Sequence, residues 1–198
     1  MRYVADHKSE SRDRILKVAA RQIRAKGPHK IAVKEVMSAA GLTHGAFYAH
    51  FDSKDALVAE AVTKMFSDAG QRASGLEAVL AENDARLPAA FRTYLQGYLS
   101  PRHRDGPDLG CPLPSLASDI ARTEGPAREN FVAGMERMTA SIETALGRMG
   151  RARPEAQARA VVAQMVGAVG LARAAGPGSR SDAILRDCLA ALIAKLDL

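Results

Sequence analysis

Apolar residues recur three and four apart along nearly the whole chain, a period that suits packed helices and little else. Leu16, Ala19, Ala20 and Ile23 form one such stripe, and Phe131, Met135, Met138, Ile142, Ala145 and Met149 form another whose spacing alternates four and three. Composition points the same way. Ala supplies 38 residues against 19 Val plus Ile, and Trp is absent, which favours helix over sheet. At 198 residues the chain is long enough to bury a sizeable core. The expected fold class is all-α, with about nine helices in total.

Helix starts and stops divide the pattern into elements. A first helix over residues 11–26 has Asp13 in its opening turn and ends at Gly27-Pro28. Val33, Val36, Met37 and Ala40 give a short second stripe that stops at Gly41, a residue able to reverse the chain without a Cβ penalty. Thr43 is placed to cap a third short helix, residues 44–51, in which Phe47 and Phe51 face inward together, and Ser53 or Asp52 caps the next, running to about residue 73. A helix from about 87 to 99 is ended by Pro101, residues 102–110 read as a loop, and a short helix follows Cys111-Pro112-Leu113-Pro114. Gly125-Pro126 restarts a long helix. Two more, about 154–174 and 181–196, are separated by Gly176-Pro177-Gly178, and the small Gly167, Ala168, Gly170 and Ala172 permit close helix approach.

Charge narrows the function. Residues 1–50 carry ten Lys or Arg against four acids, whereas the remaining 18 basic and 18 acidic side chains cancel, so the whole net charge of +6 lies in the first quarter. That is the pattern of a polyanion-binding module joined to a neutral body. Four of the five histidines lie there too. The N-terminus shows no apolar signal region, and Arg159, Gln164 and Arg173 interrupt the most apolar late segment, so no membrane partner is expected and the location is read as cytoplasmic. Cys111 and Cys188 belong to no metal-binding cluster, and the histidines have no carboxylate or thiol at matching spacing, so neither metal nor cofactor is expected. Asp119, Glu124 and Glu136 with Tyr94 or Tyr98 sit in no nucleophile or metal motif, and no enzymatic activity is expected.

A helix, a turn at Gly41 and a short helix behind Thr43 make a helix-turn-helix, whose second helix enters a DNA major groove. His44, Tyr48 and His50 supply hydrogen-bonding groups on this cationic surface. The run from Ile15-Leu16 through Gly27 and Val33, then Ala39-Ala40-Gly41-Leu42-Thr43-His44-Gly45-Ala46-Phe47-Tyr48-Ala49-His50-Phe51 and Ser53-Lys54-Asp55-Ala56-Leu57, closely resembles the N-terminal DNA-binding domain of TetR-family (TetR/AcrR) transcriptional regulators. The likeness covers about 45 residues of the sequence.

The resemblance implies phosphate contacts from Tyr48 and Lys54, and phosphate or base-edge contacts from Thr43, His44, Gly45, Ala46 and Ala49. His50 stands where backbone is commonly touched, and Lys34 is counted in the same DNA-binding set. Three positions depart from the pattern: Ala32 where Ser or Thr usually caps the second helix, Ile23 for Phe, and His44 for Lys or Arg. The family organisation implies a DNA-binding domain over residues 1–55 and an effector-binding and dimerisation domain over 56–198. It further implies a homodimer built through the last two helices and a near-palindromic double-stranded operator, with half-sites one helical turn apart. An unidentified small-molecule effector would then release a repressor from that operator.

Candidate linings for the effector are the inward faces of the helices around residues 87–99 and 126–148 and of the segment between them. They comprise Phe91, Tyr94, Leu95, Tyr98, Cys111, Leu116, Ile120, Phe131, Met135 and Met138, which suit an apolar or aromatic molecule. The Gly110-Cys111 element also resembles a branch of the family that includes electrophile-responsive repressors of the N-ethylmaleimide-reductase type. A thiol there, near a helix start and the positive Arg102, His103 and Arg104, suggests a redox sensor as an alternative. The other alternative is a DNA-binding protein with no effector.

Overall fold

The computed structural model describes residues 2–70, 75–108 and 110–198, with side chains described from His7 onward. Among them are eleven helical elements and no strand. In order these are α1 (Arg2–Lys26), α2 (Val33–Ala39), a 3-10 turn (His44–Ala49), α3 (Lys54–Gly70), α4 (Leu76–Ala81), α5 (Leu87–Tyr98), α6 (Pro101–Asp105), α7 (Leu113–Ile120), α8 (Pro126–Arg148), α9 (Pro154–Ala175) and α10 (Ser179–Leu196). The all-α class holds, with two short helices beyond the nine expected.

Both extra helices have local causes. Pro101 was expected only to end α5, but it also opens α6 at the first helical position, where its missing N–H costs nothing. Ser100 Oγ accepts the His103 N–H at 3.2 Å and caps that turn, so half of the expected 102–110 loop is helical. α4 spans only six residues, too few to display a period in sequence. α1 begins nine residues before the expected start at Ser11. The expected helix end near residue 73 lies outside the described residues, and the described part of α3 stops at Gly70.

The head is α1, α2 and the 3-10 turn closed by the first half of α3. Ile15, Ala19 and Ile23 of α1, Val36 and Met37 of α2, Phe47 and Phe51 from the turn, and Leu57 from α3 are all buried. Gly41, at φ +73°, turns the chain after α2, and the Leu42 N–H reaches back to the Met37 carbonyl at 2.9 Å. Ser53 caps α3 by accepting the Ala56 N–H at 3.0 Å. Ala32 provides no side-chain cap to α2, and Thr43, expected to cap the third helix, makes no such bond either.

α3 belongs to both parts of the molecule. It packs on α1 and also on α8, which in turn packs on α9, and α9 on α10. The α3–α8 contact depends on Gly134, where the Phe66 ring occupies the space a Cβ would need. Asn130 Nδ2 also donates to the Ala59 carbonyl across this joint at 2.9 Å. α9 is long and apolar enough on length and composition alone to cross a membrane, despite the polar interruptions noted in its sequence. Its Ala158, Val161, Val162, Met165, Ala168, Val169 and Ala172 are buried in the protein core.

Candidate nucleic-acid interface and effector cavity

The 3-10 turn presents one face inward and one outward. Phe47 and Phe51 stack at 5.7 Å between ring centroids inside the head, while Tyr48, only one residue from Phe47, is 70% exposed. Thr43, His44, Gly45 and Ala49 are exposed beside it, Lys34 is exposed on α2, and Ala46 is half-buried against the core. The turn is 3-10 and not the α-helix expected, which tightens it and brings side chains three apart onto one line. The Arg12 guanidinium lies 4.8 Å from the Phe51 ring centroid and bonds Glu60 at 2.5 Å, tying α1 to α3 behind the turn.

Two members of the DNA set carry other contacts. His50 is half-buried, with its Nδ1 buried and without a hydrogen-bond partner among the described residues. Burial, and then the Lys8 and Arg12 charges, hold its imidazole below the usual value, so it acts as a neutral donor or acceptor. Lys54 Nζ donates to the His29 carbonyl at 3.1 Å, using one of the three N–H donors of its ammonium group.

The body encloses a cavity of about 710 Å³ between α3, α4, α5, α6 and α8, within the range of small-molecule sites. Of the ten residues expected to line it, four do: Tyr94, Tyr98, Cys111 and Met138. Phe91, Leu95, Leu116 and Ile120 are buried core residues away from that wall. Phe131 packs edge-on against Phe66 at 5.7 Å, and Met135 lies on the exposed side of α8. The wall also includes Phe66, Leu76 and His103, and Glu77, Arg102 and Arg137 stand exposed at its rim. Of these six, Arg102 and His103 were expected only as charge near Cys111, and the other four were not expected from the sequence.

The inner end of the cavity is tightly organised. His103 Nδ1 donates to the Tyr98 carbonyl at 2.7 Å and its Nε2 accepts the Cys111 N–H at 3.1 Å, which places the ring proton on Nδ1. The ring stands edge-on to Tyr98 at 4.5 Å. A Cβ on Gly110 would lie 2.6 Å from His103 Nε2, so only glycine admits this approach. Burial pushes the Cys111 thiol up, outweighing the opposing pull of the Tyr98 hydroxyl, the Leu113 N–H, Arg24 and Arg173. Arg104, expected to add charge near this thiol, instead pairs with Asp105 and Asp182.

The cavity wall is joined directly to the head. Arg24 of α1 donates to the Asp108 carbonyl at 3.2 Å and to the Met65 carbonyl at 3.4 Å, and Arg21 meets the Asp108 carboxylate at 3.1 Å. Asp108 lies between Gly106 and Gly110, both of which line the cavity. A second tie links His29 Nε2 and Thr123 Oγ1 at 3.1 Å, where the chain leaves α7. Asp108 is thereby held to α1 by both its carboxylate and its carbonyl.

Residues 15–61 match the pattern described as bacterial regulatory proteins of the tetR family. A 58-residue segment, 29% of the chain, is 43% identical to the HTH-type transcriptional regulator YdgC of Bacillus subtilis (strain 168), and a 53-residue segment, 27% of the chain, is 40% identical to YerO of the same organism. The matched segments span 30% and 18% of those two relatives. In fold the likeness extends further. E. coli NemR in its reduced form aligns with a TM-score of 0.77 at 22% identity over 92% of this chain and 95% of that one. A TetR transcriptional regulator from Chloroflexus aurantiacus aligns at 0.80 and 22% identity over 97% and 96%. The chain thus carries the tetR-family sequence pattern over residues 15–61 and, along its whole length, the fold of these solved regulators.

Proposed function

We propose that the protein is a transcriptional repressor that binds a near-palindromic operator as a homodimer and is released by a small molecule held in the body's cavity. The observation that carries this reading is the division of the 3-10 turn. Phe47 and Phe51 fix it to the core, while Thr43, His44, Tyr48 and Ala49 project into solvent on the cationic side of the chain. On this reading residues 1–55 contact DNA and residues 56–198 bind the effector and the partner subunit. Tyr48 and Lys54, together with Lys34, hold phosphates, and Thr43, His44, Gly45, Ala46, Ala49 and His50 fit against backbone or base edges. The protein acts in the cytoplasm and not as an enzyme.

The dimer is assigned to α9 and α10. Ala163, Gly167 and Leu171, four apart on α9, form an outward face; Leu171 is 63% exposed, and a Cβ on Gly167 would meet nothing within 4 Å. Ala190, Ala191 and Ala194 continue a surface of small residues on α10. Two such faces pack closely about a twofold axis, which sets the two heads at a fixed spacing. An effector favouring a different position of the 106–110 segment acts on α1 through Arg21 and Arg24 and changes that spacing. An electrophile sensor at Cys111 is disfavoured, because the thiol is buried and held in its protonated form.

A shift assay at controlled salt, on DNA from the protein's own upstream region and on a scrambled duplex, tests the reading. Preferential retention of the natural fragment, reversed by one member of a panel of apolar, aromatic and electrophilic compounds, supports a ligand-released repressor. Equal affinity for both duplexes at every salt concentration overturns it.

A further inference from the structure

The inner end of the cavity carries a poorly matched phenol donor, Tyr98, and behind its Gly110 wall a guanidinium, Arg173, with no anionic partner among the described residues. Tyr98 is 7% exposed and lines the cavity, and its buried hydroxyl has only the Cys111 sulfur, a weak acceptor, beside it and no well-formed hydrogen bond among the described residues. Leaving such a group unmatched costs free energy, so its presence at a cavity wall marks the place of an incoming acceptor. Burial holds both Tyr94 and Tyr98 well above the usual phenol value, so each stays a donor.

Arg173 supplies the second observation. It stands behind Gly110, where a Cβ would lie 3.2 Å from its terminal nitrogen. Its hydrogen bonds run to the Arg104 carbonyl at 3.1 Å, the His103 carbonyl at 2.9 Å and the Ser115 hydroxyl at 2.8 Å, all neutral oxygens. Among the described residues no carboxylate pairs with it. Burial disfavours its charged form, a penalty that a nearby anion would relieve. Among the described residues the one carboxylate on the cavity wall is the exposed Glu77, and the exposed Arg102 and Arg137 line the same cavity. The rest of the wall combines Phe66, Leu76, Tyr94 and Met138 with the neutral hydroxyls of Thr63, Ser67 and Ser141.

Resting on the reading of this cavity as the effector site, we infer that its ligand is an organic acid bound as the anion. The apolar or aromatic body lies against Phe66 and Met138, and the acidic group accepts the Tyr98 O–H in the field of Arg173. A neutral molecule of the same shape satisfies the hydroxyl but not the guanidinium, and an amine is repelled by it.

The test uses three probes with one ring system, 1-naphthoate, 1-naphthamide and 1-naphthylmethylamine, titrated calorimetrically into the full-length protein without DNA. Naphthoate is expected to bind about tenfold or more tightly than either partner, the usual scale of a hydrogen bond to a charged group. Tyr98→Phe keeps the ring and is expected to erase most of that preference. Arg173→Gln is expected to do the same while Arg173→Lys restores it, which a purely structural role for Arg173 would not produce. Equal binding of acid and amide, tighter binding of the amine, or no heat from naphthoate at millimolar concentration overturns the inference. The shift assay separates the two claims: naphthoate that binds without releasing DNA keeps the anion site and removes the effector reading, whereas DNA release by amide and acid alike does the opposite.

Discussion

Gly134→Ala is the sharpest probe of how the head is held to the body. A methyl at Gly134 falls 2.3 Å from Phe66 Cδ2, 2.4 Å from Cε2 and 2.5 Å from Cγ. Because Cγ lies on the axis of ring rotation, turning the ring does not clear the contact. Either Phe66 leaves its rotamer or α3 moves off α8. Overpacking of this kind costs about 3 kcal/mol at its usual upper end, and the better helix propensity of Ala returns about 1 kcal/mol. The net loss of about 2 kcal/mol lowers the thermal midpoint of a chain this size by roughly 4–8 °C. Gly147→Ala is the control, since it lies on the same helix with nothing within 4 Å of the added methyl, and it is expected to raise the midpoint slightly. Thermal unfolding of both variants and the parent at one fixed protein concentration makes the comparison. If Gly134→Ala is as stable as Gly147→Ala, the close α3–α8 approach does not govern that joint.

Three further outcomes are expected. Tyr48→Phe leaves the unfolding midpoint unchanged, because the residue is 70% exposed, but weakens operator binding by about tenfold or more through loss of a hydrogen bond to a charged phosphate; anisotropy titration showing unchanged affinity refutes the contact. For His50, burial and then Lys8 and Arg12 hold the folded-state value below the unfolded one, so its contribution is complete above about pH 6.5 and is lost as pH falls through the unfolded value toward the folded one. His50→Gln is thus expected to flatten the decline in thermal midpoint from about pH 7.5 to about pH 5.5, and an unchanged slope refutes the assignment. Cys111 is expected to react with iodoacetamide far more slowly in the folded protein than in urea, judged by mass spectrometry, and equal rates would reinstate a reactive thiol.

The head was legible in the sequence because its signals are local. Gly41 turns the chain where its position after the α2 stripe requires, Ser53 caps α3, and the four-residue spacing of Phe47 and Phe51 puts both inside. The 3-10 form of the turn was not legible, since a stripe of two aromatics does not distinguish a pitch of 3.0 from 3.6 residues. The cavity was half legible. On α5 the apolar stripe is wide enough to serve both the core and the wall, and sequence does not say that Phe91 and Leu95 serve the first while Tyr94 and Tyr98 serve the second. Phe66, Leu76, Glu77 and Arg137 were missed because helices distant in the chain bring them together, whereas Arg102 and His103 were legible only as neighbours of Cys111. The pairing of Arg104 with Asp182 and the bonds of Arg173 to the Arg104 and His103 carbonyls were equally opaque, because those partners lie 69 or more residues away.

The central claim is that the outward face of the His44–Ala49 turn reads DNA twice, once from each subunit. A footprint of the purified protein on the DNA flanking its own gene tests it most directly. The account predicts two protected segments related by a dyad, about 34–36 Å or one helical turn apart between centres, both lost together in Tyr48→Phe at the same protein concentration. Uniform protection along the fragment, or a footprint that survives that substitution unchanged, would contradict it.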